Sequence, residues 1–158
     1  MRVADLRAES HRNDVIGIGE TAPRLSWITE TDTPSWRSAG YEVEIDGRST
    51  GRVDSDESVL VPWPGPALTA RSRSRVRVRV WGTDGSESAW SDPLTVEVGL
   101  VDPTDWQASW ITPAVEDPRD TSSPAPMFRR SFDVADRRIE RARLYVTSAG
   151  EIPGSGSS

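Results

Sequence analysis

Ser72-Arg73-Ser74-Arg75-Val76-Arg77-Val78-Arg79-Val80-Trp81 decides the fold. Its alternation is strict, with Val76, Val78 and Val80 on one side and Arg75, Arg77 and Arg79 on the other. Successive side chains of a strand point to opposite faces, so a period of two makes one buried and one solvated face. No helical repeat fits this stretch. Gly82-Thr83-Asp84-Gly85 closes it as a turn.

The same rhythm appears on both sides. Upstream, Gly40-Tyr41-Glu42-Val43-Glu44-Ile45-Asp46-Gly47 sets Tyr41, Val43 and Ile45 against Glu42 and Glu44, and Asp46-Gly47 is a tight hairpin signal. Further strands are predicted at Val3–Ala8, Pro23–Ile28, Ser49–Asp54 and Ser58–Val61. Pro62-Trp63-Pro64-Gly65-Pro66 interrupts pairing, because proline donates no ladder hydrogen bond. Downstream, Leu94–Val98 completes about seven strands in roughly 95 residues, the size of a fibronectin type III-like antiparallel β-sandwich. The predicted class is all-β, with residues 1–100 as this sandwich and residues 101–150 as the incomplete start of a second one. In the latter, Trp106–Ile111, Met127–Val134 and Ala142–Thr147 read as strands, and residues 112–126 as a long loop. Residues 151–158 are a Gly/Ser-rich flexible tail by composition.

The chain has 158 residues, 35% of them hydrophobic, and seven tryptophans. Each tryptophan can bury roughly 150–250 Å², so the core is expected to lean on Trp, Val and Leu. Trp27, Trp81, Trp90, Trp106 and Trp110 sit in or beside strand patterns and read as core. All 19 basic residues are arginine, yet 25 acidic residues leave a net charge of −6. That balance argues against nucleic acid as a partner. The absence of cysteine excludes disulfides, thiolate metal sites and cysteine nucleophiles. The opening MRVADLRAES lacks the apolar core of a secretion signal, and no run approaches a membrane span, so the expected location is cytoplasmic, with no membrane partner.

Catalytic patterns are missing. The single histidine, His11, has no orienting carboxylate or nucleophile at a recognisable spacing. Asp54, Asp56 and Glu57 lack the spacing of a calcium loop and read as a solvated turn. Gly17-Ile18-Gly19 is not followed by a phosphate-loop lysine. No catalytic, cofactor or metal residue is therefore predicted. Two binding features stand out, each with a competing structural reading. Trp36 and Trp63, in loops, are candidates for stacking on a sugar, against packing at the sandwich edge. Arg75, Arg77 and Arg79 are candidates for a domain-docking face, against cross-pairing with Glu42 and Glu44.

Several stretches together resemble the N-terminal region of bacterial α-L-rhamnosidases. They are Thr21–Trp27, Val61–Leu68, Val76–Trp81, Ser88-Ala89-Trp90-Ser91, Gly99-Leu100, Trp106–Ile111, Phe128–Phe132 and Ala142–Gly150. The resemblance implies a fibronectin type III-like unit, a further β-sandwich from about Asp105, and a distant α/α barrel that cleaves terminal α-L-rhamnosides with inversion. None of the barrel is in this chain, so no catalytic residue carries over, and after Gly150 the sequence departs from the pattern. Two functions follow as expectations. One is a non-catalytic accessory portion that packs against the parent enzyme's downstream domains. The other is a stand-alone carbohydrate- or protein-binding module, with rhamnosylated glycans as ligands. The unpaired edge of the second domain also predicts self-association by strand exchange.

Overall fold

The computed structural model describes residues 1–12, 14–112, 127–136 and 138–147. Seven strands follow in order: β1 (Arg2–Ala8), β2 (Val15–Ile18), β3 (Leu25–Glu30), β4 (Ser38–Ile45), β5 (Arg48–Val53), β6 (Arg73–Gly82) and β7 (Leu94–Val98). β1 and β3 pair antiparallel in one sheet, and the other sheet runs β2-β7-β6-β4-β5. These two sheets are the layers of the predicted sandwich. Two compact units divide the chain, Met1–Trp110 and Ile111–Ser158.

β6 buries the face its alternation predicts. Val76, Val78 and Val80 are fully enclosed, as are Val43 of β4 and Val96 and Val98 of β7. Leu25, Trp27 and Val61 cover them from the other layer, and the Trp27 ring meets Tyr41 edge-on with centroids 5.2 Å apart. Burial lifts the Tyr41 hydroxyl above its ordinary pKa, with the Glu57 charge adding to it. At the β4–β5 turn, Asp46 and Gly47 both have positive φ, the geometry expected of a two-residue hairpin.

Three differences from the sequence reading have local causes. β2 is unforeseen. It is four residues long and pairs parallel with β7, with a register break between Ile16 and Ile18 at Gly17, where φ is +78°. Such a short glycine-broken segment carries no readable period. Ser58–Val61 contributes one isolated bridge, Leu25 to Val61, in place of a strand. Trp106–Ile111 forms no strand, and Trp106 and Trp110 are 39% and 72% exposed, so neither is core. Trp81 and Trp90 are not core either; both are half-buried on the sheet's outer face.

In the second unit, the described residues of Met127–Val134 and Ala142–Thr147 form no strand. Met127, Phe132, Leu144 and Val146 stand exposed. A strand needs a ladder partner and a layer to pack on, and an isolated pair is marginal in water. The 112–126 loop, apart from its first residue, and the 151–158 tail lie outside the described residues.

Candidate interaction face

The outer face of the larger sheet carries a cluster of arginine, carboxylate and tryptophan side chains. β7 pairs with β6 only from Arg73 to Val76, which leaves the amides of Val78 and Val80 without a ladder partner from β7. Ser88-Ala89-Trp90-Ser91 supplies one. Val78 N–H donates to Ser91 Oγ and Val80 N–H to Ser88 Oγ, both at 3.0 Å. In return Ser91 N–H donates to Val78 O at 2.8 Å and Ser88 N–H to Val80 O at 2.9 Å. Two serines three apart thus serve strand residues two apart, and a buried backbone that would otherwise be orphaned is satisfied.

That docking lays Trp90 across the arginine row. The Arg77 and Arg79 guanidinium carbons sit 4.9 and 4.7 Å from the Trp90 ring centroid. Arg79 also lies 4.9 Å from Trp81, whose ring is met by Arg52 of β5 at 5.1 Å. The result is a ladder, Arg52–Trp81–Arg79–Trp90–Arg77. Each stack is worth about 0.5–1 kcal/mol where exposed and more where desolvated.

Carboxylates neutralise the ladder from the flanks. Glu44 takes a two-bond fork from Arg77 at 2.7 and 2.8 Å, as their register across β4 and β6 allows. Glu42 accepts from Arg79 at 2.8 Å and from the Ser49 hydroxyl. Glu87 closes on the other side of Arg79, and Asp54 holds Arg52 at 2.9 Å. The Ser49 bond and then Arg79 hold Glu42 below the usual carboxylate range; Arg77 does the same for Glu44. Arg75, nearer the sheet's end, is exposed, and its backbone N–H takes Asp46 Oδ1 at 2.8 Å.

The two candidate tryptophans are held elsewhere. Trp63 is 9% exposed and donates its indole N–H to Pro66 O at 2.9 Å. Trp36 is half-buried against the core and donates to Ser86 Oγ at 3.1 Å. A Cβ on Gly82 would run into the Trp36 indole and the Asp84 and Ser86 side chains, so a larger residue there would have to displace them. Trp63 is nearly enclosed, while part of Trp36 stays accessible. His11 is exposed and joined to Ala8 by a single bridge. Asp54, Asp56 and Glu57 are exposed, and among the described residues no acidic or histidine group has the arrangement of a metal site.

Among the described residues, every carboxyl with a resolved shift is held low: Glu9 by Arg24, Glu42 by Ser49, Glu44 by Arg77, Asp84 by Ser86 and Asp102 by Thr104.

Comparison with known proteins agrees with this geometry. The profile of the Rha78A-like, N-terminal immunoglobulin domain matches residues 3–102. The alpha-L-rhamnosidase of Streptomyces avermitilis is 38% identical over 122 residues, covering 71% of this chain and 11% of that protein. The crystal structure of that organism's enzyme with L-rhamnose superposes with a TM-score of 0.66, at 36% identity over 70% of this chain and 12% of the other. The alpha-L-rhamnosidase structure from Aspergillus terreus gives 0.62 at 40% identity, covering 67% of this chain and 13% of that one. The chain spans 11% to 18% of the length of the curated relatives it matches. Among the described residues, no helix is long and apolar enough to cross a membrane.

Proposed function

The chain belongs to the family of Rha78A-like N-terminal immunoglobulin domains, and from that premise we propose that it is the non-catalytic accessory N-terminal portion of an α-L-rhamnosidase. Its work is to pack against and support the catalytic domain of a glycoside hydrolase acting on terminal α-L-rhamnosides. Residues 101–150 begin a second β-sandwich in this reading, and the protein acts in the cytoplasm. The observation that carries the proposal is the match itself: it falls on one β-sandwich, and the relatives it aligns with are several times longer than this chain. The binding-module alternative is less favoured because Trp63 is buried and both indole N–H groups are spent inside the domain.

Titration with L-rhamnose, followed by tryptophan fluorescence, separates the two readings. The accessory reading expects no saturable change. A saturable change abolished by Trp36→Ala or Trp63→Ala, in variants that still fold, would replace it with the binding module.

A further inference from the structure

We infer that the outward bulge at Val59–Leu60, with Ile28 beside it, is the surface through which this domain docks onto an apolar protein surface bordered by cationic side chains. The inference rests on the accessory reading and names the face that reading leaves open.

The bulge is visible in the hydrogen bonds along β3. Leu25 exchanges two bonds with Val61, at 2.8 Å each, and Trp27 N–H donates to Ser58 O at 2.9 Å. β3 advances two residues while the opposing segment advances three, so one residue too many must leave the ladder. Val59 and Leu60 stand 69% and 45% exposed in consequence. Leu60 also has a φ of +53°, the left-handed region that costs a bulky residue about 1–2 kcal/mol. Leu60 N–H is pinned at 2.8 Å by the buried Ser26 hydroxyl. Ser26 and Ile28 share the outward face of β3, and Ile28 is 48% exposed. A domain that only had to fold would place glycine at such a position and polar groups around it. Here strain is combined with the display of apolar side chains, which is the signature of a contact surface.

Charge selects the partner. Asp56 and Glu57 immediately precede the bulge, both exposed, and neither makes an ion pair among the described residues. Across β3, Arg2 and Glu30 neutralise each other at 2.7 Å. On β1, Asp5 is met by Arg7 at 3.5 Å and by Arg12 at 3.8 Å, so the unmatched carboxylates beside the bulge are Asp56 and Glu57, in contrast to the arginine ladder, whose charges are already matched. A complementary surface carries arginine or lysine around an apolar depression.

The test uses the full chain against the Streptomyces avermitilis alpha-L-rhamnosidase lacking the segment this chain matches, with association followed by sedimentation. Expected are a one-to-one complex that weakens as salt rises, and at least a tenfold loss of affinity in both Leu60→Gly and Val59→Ser. Leu60→Gly should unfold at the same temperature or higher, since it relieves the strained φ. Asp56→Asn with Glu57→Gln should flatten the salt dependence. Association unchanged in both bulge variants overturns the assigned face and leaves the accessory reading standing. So does Leu60→Gly unfolding well below the wild type, which would make the leucine a structural group. No association by the wild-type chain overturns the accessory reading and this inference with it.

Discussion

Replacing Ser91 by alanine removes one oxygen atom and isolates one buried donor. Val78 has no exposed surface, its N–H donates only to Ser91 Oγ, and β7 ends its pairing with β6 two residues earlier. The serine is itself 8% exposed, so water does not readily take its place. An orphaned buried donor costs about 1–3 kcal/mol, against about 0.5 kcal/mol or less for a typical surface change. Ser88→Ala repeats the injury at Val80, which is equally enclosed. In a domain of this size each kilocalorie moves the unfolding temperature by about 4 °C, so the double variant, losing about 2–6 kcal/mol, should fall by roughly 8–24 °C. Urea unfolding should show the midpoint falling at unchanged slope, because the exposed area on unfolding is the same. Hydrogen exchange should speed up first at the Val78 and Val80 amides. Ser55→Ala is the control and should be nearly silent, because the Glu57 N–H that its hydroxyl accepts from lies where water can replace it. If Ser91→Ala costs under about 0.5 kcal/mol and Val78 stays protected, the serine cassette is not satisfying the strand, and the reasoning fails.

Two further outcomes follow from the same face. Trp90→Ala removes two guanidinium stacks and should lower stability by about 1–3 kcal/mol, while Trp90→Leu should recover only the apolar part; a leucine variant as stable as the wild type would deny the stacks any weight. Glu9, Glu42 and Glu44 have pKa values lowered by folding. Their stabilisation is present above the unfolded glutamate value of about 4.3 and is lost as pH falls through the folded values, so the unfolding temperature should drop below about pH 5. A curve flat from pH 7 to pH 3, or a drop unchanged in Glu42→Gln/Glu44→Gln, would contradict this.

The legible parts of the fold were those governed by side-chain period. Val76, Val78 and Val80 face the core because alternation leaves no other arrangement, and Glu42 and Glu44 meet Arg79 and Arg77 because charge and register coincide. The Trp90 stack depends on where a loop returns in space, which no local period encodes. Its sequence signal was the serine pair at positions 88 and 91, recognisable only once the neighbouring strand was seen to run short. The bulge at Leu60 was hidden for a related reason. Ser58–Val61 has strand composition, and only the unequal pairing with β3 shows that two of its apolar residues point outward. Trp106 and Trp110 read as core by residue type, but burial requires a second layer as well as an apolar side chain.

The central proposal is that this domain is an accessory part of a glycosidase and does not perform its chemistry. The direct measurement is hydrolysis of an aryl α-L-rhamnoside by the purified chain, with release of the aryl alcohol as the signal. The account predicts no release above the buffer rate at any pH from 4 to 8. Turnover that tracks the folded chain through purification, and that is lost on substituting one of its carboxylates, would contradict it.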